Sequence, residues 1–246
     1  AMPGEYGEVA YLQEEIPRAW SIVEVTGDAK ERVALGLVSH ELAETTGPLS
    51  DGQGKGTILR QGKRIVARGV AGVETSERMP GTTDAFAYIH LSTISEWAEV
   101  ESRYQTLLGD RLQPSPSLTR EARRLVDETQ STEAQVERLY HAVVDRIRYV
   151  GLEFGIHSFQ PSPADETWSR GYGDCKDKAV LLIAMLRSVG IEAQFVLVRT
   201  RPEGSIPAFP ASLAFFDHAM VYLPALERFV DPTVDQNAPW TLPSPD

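Results

Sequence analysis

Gly171-Tyr172-Gly173-Asp174-Cys175-Lys176-Asp177-Lys178-Ala179-Val180-Leu181-Leu182-Ile183-Ala184-Met185-Leu186 is the stretch from which the rest of the chain can be read. From Ala179 to Leu186 no side chain is polar, and a helix that is apolar all round belongs in the centre of a domain. Asp174 is an N-cap residue type and Gly190 closes the run. Cys175 therefore falls in or near the first turn of a buried helix. A thiolate there faces unpaired backbone N–H groups and the positive end of the helix dipole, which stabilise the ionised sulfur. Gly171 and Gly173 let the backbone pass close to a substrate and offer N–H donors to a developing oxyanion. Lys176 and Lys178 add positive charge, partly offset by Asp174 and Asp177. Taken alone, the same residues would also suit a structural cysteine in a core.

Downstream, three strands are expected over 192–200, 216–223 and 228–231. The simplest hairpin across Pro224-Ala225 pairs Tyr222 with Glu227, Met220 with Phe229, and therefore His218 with Asp231. Directly opposed residues of an antiparallel pair share a face, so the carboxylate would hold the imidazole in one tautomer and stabilise its charged form. A slip of one residue would send Asp231 to the other face. His218 by itself could be a core histidine and Asp231, before Pro232, a turn residue. The combination of a helix-start cysteine, a histidine and an aspartate favours the chemical reading. His40, His90 and His141 have no such partner, while His157 is close enough to the cysteine loop to line a cleft. Trp168 and Tyr172 are expected to serve in core packing or as walls of that cleft.

Upstream, Gln160-Pro161-Ser162-Pro163 reads as a loop leading into a short helical piece, 163–169. Helices are expected over 117–128 and over 132–147. The second carries an apolar stripe through Val136, Leu139, Tyr140, Val143 and Ile147, with Thr132 and Gln135 as a capping box. Ser92-Thr93 would cap a further helix containing Trp97, Val100, Tyr104 and Leu107-Leu108, ended by Gly109. Residues 1–95 are β-rich, with strand-like runs at 22–25, 32–38, 64–67 and 85–91; 47–56, with four glycines, reads as an exposed loop. The expected organisation is a β-rich N-terminal domain (1–95), a helical connection (96–131), a catalytic domain (132–235) and a proline-rich tail (236–246).

With 24 Lys and Arg against 35 Asp and Glu, the net charge is −11, which disfavours nucleic acid and anionic membrane surfaces as partners. A single cysteine excludes an intrachain disulfide and a cysteine-rich zinc site. No His-Glu-x-x-His motif is present, and no metal or cofactor is expected. No apolar run approaches the length of a membrane span. Ala1 before Met2 reads as a cloning remnant, so the chain is expected to be a fragment.

Arg148-Tyr149-Val150-Gly151, Gln160-Pro161, the segment 171–179, Leu181-Leu182, Gly190-Ile191-Glu192-Ala193, Phe216-Asp217-His218-Ala219 and Val230-Asp231-Pro232-Thr233, in this order, resemble the bacterial transglutaminase-like proteins. The resemblance implies an α+β, papain-like fold with a central helix packed on an antiparallel sheet. It also implies Cys175 as nucleophile, His218 as general acid/base, Asp231 as the carboxylate orienting the histidine, and Gln160 as an oxyanion donor like the glutamine of papain-like enzymes. Glu74 through Pro80, Leu91-Ser92-Thr93 and Trp97 resemble the end of the β-rich domain of unknown function that often precedes this domain. The resemblance implies a peptide or protein substrate, with an amine as acceptor if the enzyme is a transferase. It points to a periplasmic or cell-envelope setting, with the cytoplasm left open. Where animal transglutaminases have Gly-Gln-Cys-Trp, this chain has Gly173-Asp174-Cys175-Lys176, so their glutamine-to-lysine crosslinking does not carry over directly. A catalytically silent domain retained for peptide binding is the alternative.

Overall fold

In the computed structural model the described residues are 7–26, 33–40, 42–45, 57–76, 79–127, 130–151, 159–234 and 239–240. The expected loop at 47–56, His157 and most of the tail lie outside them. Two compact units are seen: residues 1–102 with 199–217, and residues 103–198 with 218–245.

The first unit is built from β1 (Gly7–Tyr11), β2 (Arg18–Glu24), β3 (Ala34–Val38), β4 (Ala43–Thr45), β5 (Thr57–Gln61), β6 (Arg64–Val70), the single-turn helix α1 (Thr82–Ala85) and β7 (Tyr88–Ser92). One sheet has the order β1-β7-β3 and the other β2-β6-β5-β4. Leu12, Ile58, Ile65, Ala67, Ile89 and Leu91 pack into a common core drawn from both sheets. The strand period of two explains the division: Ile65 and Ala67 face that core, while Trp20 and Ile22 on β2 are exposed. The expected runs at 22–25, 32–38, 64–67 and 85–91 all fall on or overlap strands, but β1, β4 and β5 were not anticipated.

Residues 199–217 belong with this unit. Arg199 donates to the carbonyls of Gly204 (2.9 Å) and Phe215 (2.7 Å), and Ser92 Oγ donates to Ala211 O at 2.6 Å. Ser92 is therefore a strand residue and not the expected cap of the next helix. Its hydroxyl is taken by the buried Ala211 carbonyl, and α2 begins later, at Trp97, running to Leu108.

The second unit surrounds one helix. It contains the end of α2, then α3 (Pro116–Leu125), α4 (Thr132–Arg146), β8 (Arg148–Tyr149), α5 (Ala164–Arg170), β9 (Tyr172–Gly173), α6 (Cys175–Ser188), β10 (Gln194–Val198), β11 (His218–Leu223) and β12 (Arg228–Val230). The antiparallel sheet β10-β11-β12 lies against α6, and α3, α4 and α5 cover its other sides. Every residue from Ala179 to Leu186 is fully buried, as an all-round apolar helix requires. α4 is capped by Ser131, whose hydroxyl accepts from Ala134 N at 3.3 Å, and not by the expected Thr132 capping box. Gln135 turns back to donate to Gln130 O instead.

The expected hairpin register is corrected by two residues. Val221 opposes Val230, Tyr222 opposes Phe229 and Leu223 opposes Arg228. The cause is the turn: Pro224–Leu226 form a 3-10 helical turn and Glu227 takes a left-handed conformation (φ 52), so four residues, not two, separate the last strand pair. His218 and Asp231 are thus not directly opposed. They remain on one face, because a shift of two preserves the pleat's parity. Among the described residues no helix is long and apolar enough to cross a membrane.

Candidate active site

Cys175 is the first residue of α6. Its placement follows from a complete capping box at the helix start: Asp174 Oδ1 accepts from Asp177 N at 3.2 Å, and Asp177 Oδ2 accepts from Asp174 N at 3.4 Å. The other Asp174 oxygen accepts from Lys176 Nζ at 2.5 Å, so the lysine charge is taken up within the same turn. Backbone N–H groups of this turn have no intrahelical acceptor, which leaves those not used by the cap available beside the sulfur. Cys175 is buried, with 8 % of its surface exposed.

Gly173 is required by close approach. A Cβ there would lie 2.7 Å from Asp177 Cβ and 3.2 Å from Thr167 Cγ2. Gly173→Ala is therefore expected to destabilise the fold by about 1–3 kcal/mol through overpacking, read as a fall in the urea midpoint with an unaltered slope. An unchanged midpoint would mean that the helix start yields freely to the extra methyl group.

His218 opens β11, the central strand of the sheet against α6. Its Nε2 lies 2.8 Å from Asp231 Oδ2, and Cys175 is close enough to act on the charge of the ring. Asp231 is 5 % exposed in its side chain and His218 17 %. The second Asp231 oxygen accepts from Thr233 N (2.9 Å) and Thr233 Oγ1 (2.7 Å). Burial works against both charges. It would lower the His218 pKa, but the bond to Asp231 and the proximity of Cys175 prevail and hold it up at about 10. Burial would likewise raise the Asp231 carboxyl, but His218 and Thr233 keep it below its ordinary value. An ionised carboxylate only accepts, so Nε2 carries the hydrogen toward Asp231.

Gln160 lies in the same unit, on the loop before α5. Its amide Nε2 reaches toward Leu107 O at 3.5 Å. That loop is held at both ends: Tyr104 Oη donates to Phe159 O at 3.1 Å, and Ser162 N donates to Asp177 Oδ1 at 2.7 Å. Tyr104 and Asp177 were not singled out from the sequence. Asp177 had a signal, being the third helical residue of a capping box; Tyr104 had none beyond a place in an apolar stripe. Neither aromatic residue expected near the cleft is fully buried. Tyr172 is 37 % exposed beneath the Arg170 guanidinium, and Trp168, half-buried, lies under that of Arg146. Arg170 also donates to Asp177 Oδ2 at 2.6 Å. Among the described residues no group of three or more His, Cys, Asp or Glu side chains could hold a metal ion.

Residues 119–227 match the transglutaminase-like superfamily; the match takes in Gln160, Cys175 and His218 and stops short of Asp231. Among solved structures, a "putative protease" from Parabacteroides distasonis ATCC 8503 superposes with a TM-score of 0.67 at 15% sequence identity. The alignment covers 98% of this chain and 48% of that one, so this chain spans about half the length of the protein it matches. A "putative cysteine protease" from Cytophaga hutchinsonii aligns over 93% of this chain and 78% of its own, at 14% identity and a TM-score of 0.37. No protein of curated function matches the sequence. At these identities the likeness is one of fold: an α+β architecture of transglutaminase-like, papain-like type, preceded by a β-rich region.

Proposed function

We propose that the second unit is a cysteine-dependent acyl-transfer enzyme acting on an amide or thioester of a peptide or protein. The observation that carries this reading is the His218 ring, bonded at 2.8 Å to a buried, ionised Asp231 and close to Cys175 at the start of α6. A buried structural cysteine has no use for such a partner. The sulfur attacks the carbonyl carbon as a thiolate, forming a C–S bond, while the carbonyl electrons move to oxygen. Backbone N–H groups in the first turn of α6, together with the Gln160 amide once it leaves Leu107, stabilise that oxyanion. Collapse breaks the bond to the leaving group. The departing amine takes its proton from His218, which is the protonated form at neutral pH.

The product of this half-reaction is a thioester on Cys175. Water or an amine then gives a proton to His218, attacks the thioester and releases the thiolate. Water makes the enzyme a peptidase or amidase; an amine makes it a transferase. The test is intact-mass analysis after exposure to a library of peptide amides and thioesters. The wild-type protein is expected to gain one acyl mass that Cys175→Ala does not. Equal adducts in both proteins, or none in either, would leave only a peptide-binding role for the domain.

A further inference from the structure

The segment carrying Gln160 is bracketed by two side chains, one of them on the helix that Cys175 begins. On one side Tyr104, from α2, donates to the carbonyl of Phe159, the residue immediately before Gln160. On the other, Asp177, two positions after Cys175 on α6, accepts from the N–H of Ser162, two residues after Gln160. Both anchors are rigid. Tyr104 is 5 % exposed, and its ring stacks on Phe195 with centroids 5.4 Å apart. Asp177 is 3 % exposed and is fixed by Arg170 and by the capping box. Burial pushes the Tyr104 phenol far above its usual range, helped by the neighbouring Cys175, Asp174 and Asp177. It therefore stays a neutral donor.

We infer that Tyr104 and Asp177 are positioning residues that hold the Gln160 segment alongside Cys175 as the oxyanion side of the site. The inference rests on the acyl-transfer reading and adds how the oxyanion donor is aimed. A backbone segment tied at one point pivots; tied on both flanks of Gln160, it presents the side-chain amide from a fixed origin. A donor must sit about 3 Å from the place where charge develops and be held there to within about half an ångström. Its own rotamer change, from Leu107 O toward the oxyanion, then requires no movement of the backbone.

Two reactions of the same sulfur separate this role from general support of the fold. p-Nitrophenyl acetate acylates a thiolate: the C–S bond forms, an oxyanion develops, and p-nitrophenolate leaves as the C–O bond breaks. Iodoacetamide alkylates the same thiolate by displacing iodide at a saturated carbon, with no oxyanion at all. Tyr104→Phe keeps the ring and removes one hydrogen bond. It is expected to slow acetylation of the full chain by about five- to tenfold while alkylation is unchanged. Asp177→Ala shows the same selective loss, and Asp177→Asn, whose amide oxygen still accepts from Ser162, shows less of it. In a Gln160→Ala background, Tyr104→Phe costs nothing further, because residues acting through one another are not additive. The inference is overturned if acetylation and alkylation fall together in Tyr104→Phe, or if its cost persists without Gln160. A wild-type protein that is alkylated but never acetylated removes the acyl-transfer reading as well, so the two failures are distinct.

Discussion

His218→Ala is expected to slow acylation of Cys175 by about 10²–10⁴-fold, the range supplied by a positioned general acid/base. The ring does two things that no neighbour can replace. In the proposed reaction it stabilises the charge on the sulfur at the start of α6, and it carries a proton to the leaving group from a position fixed by Asp231. The measurement is the rate of acyl adduct formation by rapid quench and intact mass. Alkylation by iodoacetamide near neutrality should slow as well, since the imidazolium that stabilises the thiolate is gone. A variant that acylates within a few-fold of the wild type would mean the ring is structural. It would also mean that the sulfur draws its reactivity from the helix start alone.

Asp231→Asn should change both rate and stability, and the stability change has a defined sign. His218 has a folded pKa of about 10 against an ordinary 6.5. The stabilisation it contributes is therefore complete below about 6.5 and is lost as pH rises through about 10. Asp231 is shifted the other way, below 3.8. Its contribution is complete above that value and is lost as pH falls through the lowered one. The charged pair thus stabilises the fold most between roughly pH 4 and 6.5, given those two ordinary values. The difference in Tm between wild type and Asp231→Asn is expected to be largest there and to shrink steadily toward pH 10. Calorimetry at several pH values decides the matter. A Tm difference that is flat from pH 5 to 10 would show that the two groups do not titrate as a pair. Activity should fall in the same variant because an amide no longer stabilises the imidazolium.

The His218–Asp231 meeting illustrates how a wrong register can still lead to the right neighbours. The shortest turn across Pro224-Ala225 suggested direct opposition, and the turn actually closes with Glu227 in a left-handed conformation, two residues off. Strand side chains alternate with a period of two, so a displacement of two leaves both groups on the face toward α6. A displacement of one would have separated them. The Thr233 hydroxyl and N–H, which occupy the other Asp231 oxygen, lie within the quoted Val230-Asp231-Pro232-Thr233 segment. They depend on a local turn, and local turns are the part of tertiary structure nearest to sequence.

What the amino-acid order determined alone is what depends on near neighbours. Apolar residues on every side of 179–186 had to be buried, and Asp174 had to start the helix that carries Cys175 at its mouth. Alternation within 216–223 set which strand side chains share a face with His218, and the turn at 224–227 decided the register that brings Asp231 to it. What only the tertiary structure decided depends on residues far apart in the chain. β1 pairs with β7 some eighty residues later, and 199–217, although it links β10 to β11, belongs with the first unit. Tyr104 reaches a carbonyl 55 residues away. Such partners are selected by the shape and the unsatisfied backbone groups of an assembled core, and no local periodicity encodes which distant carbonyl a hydroxyl will find.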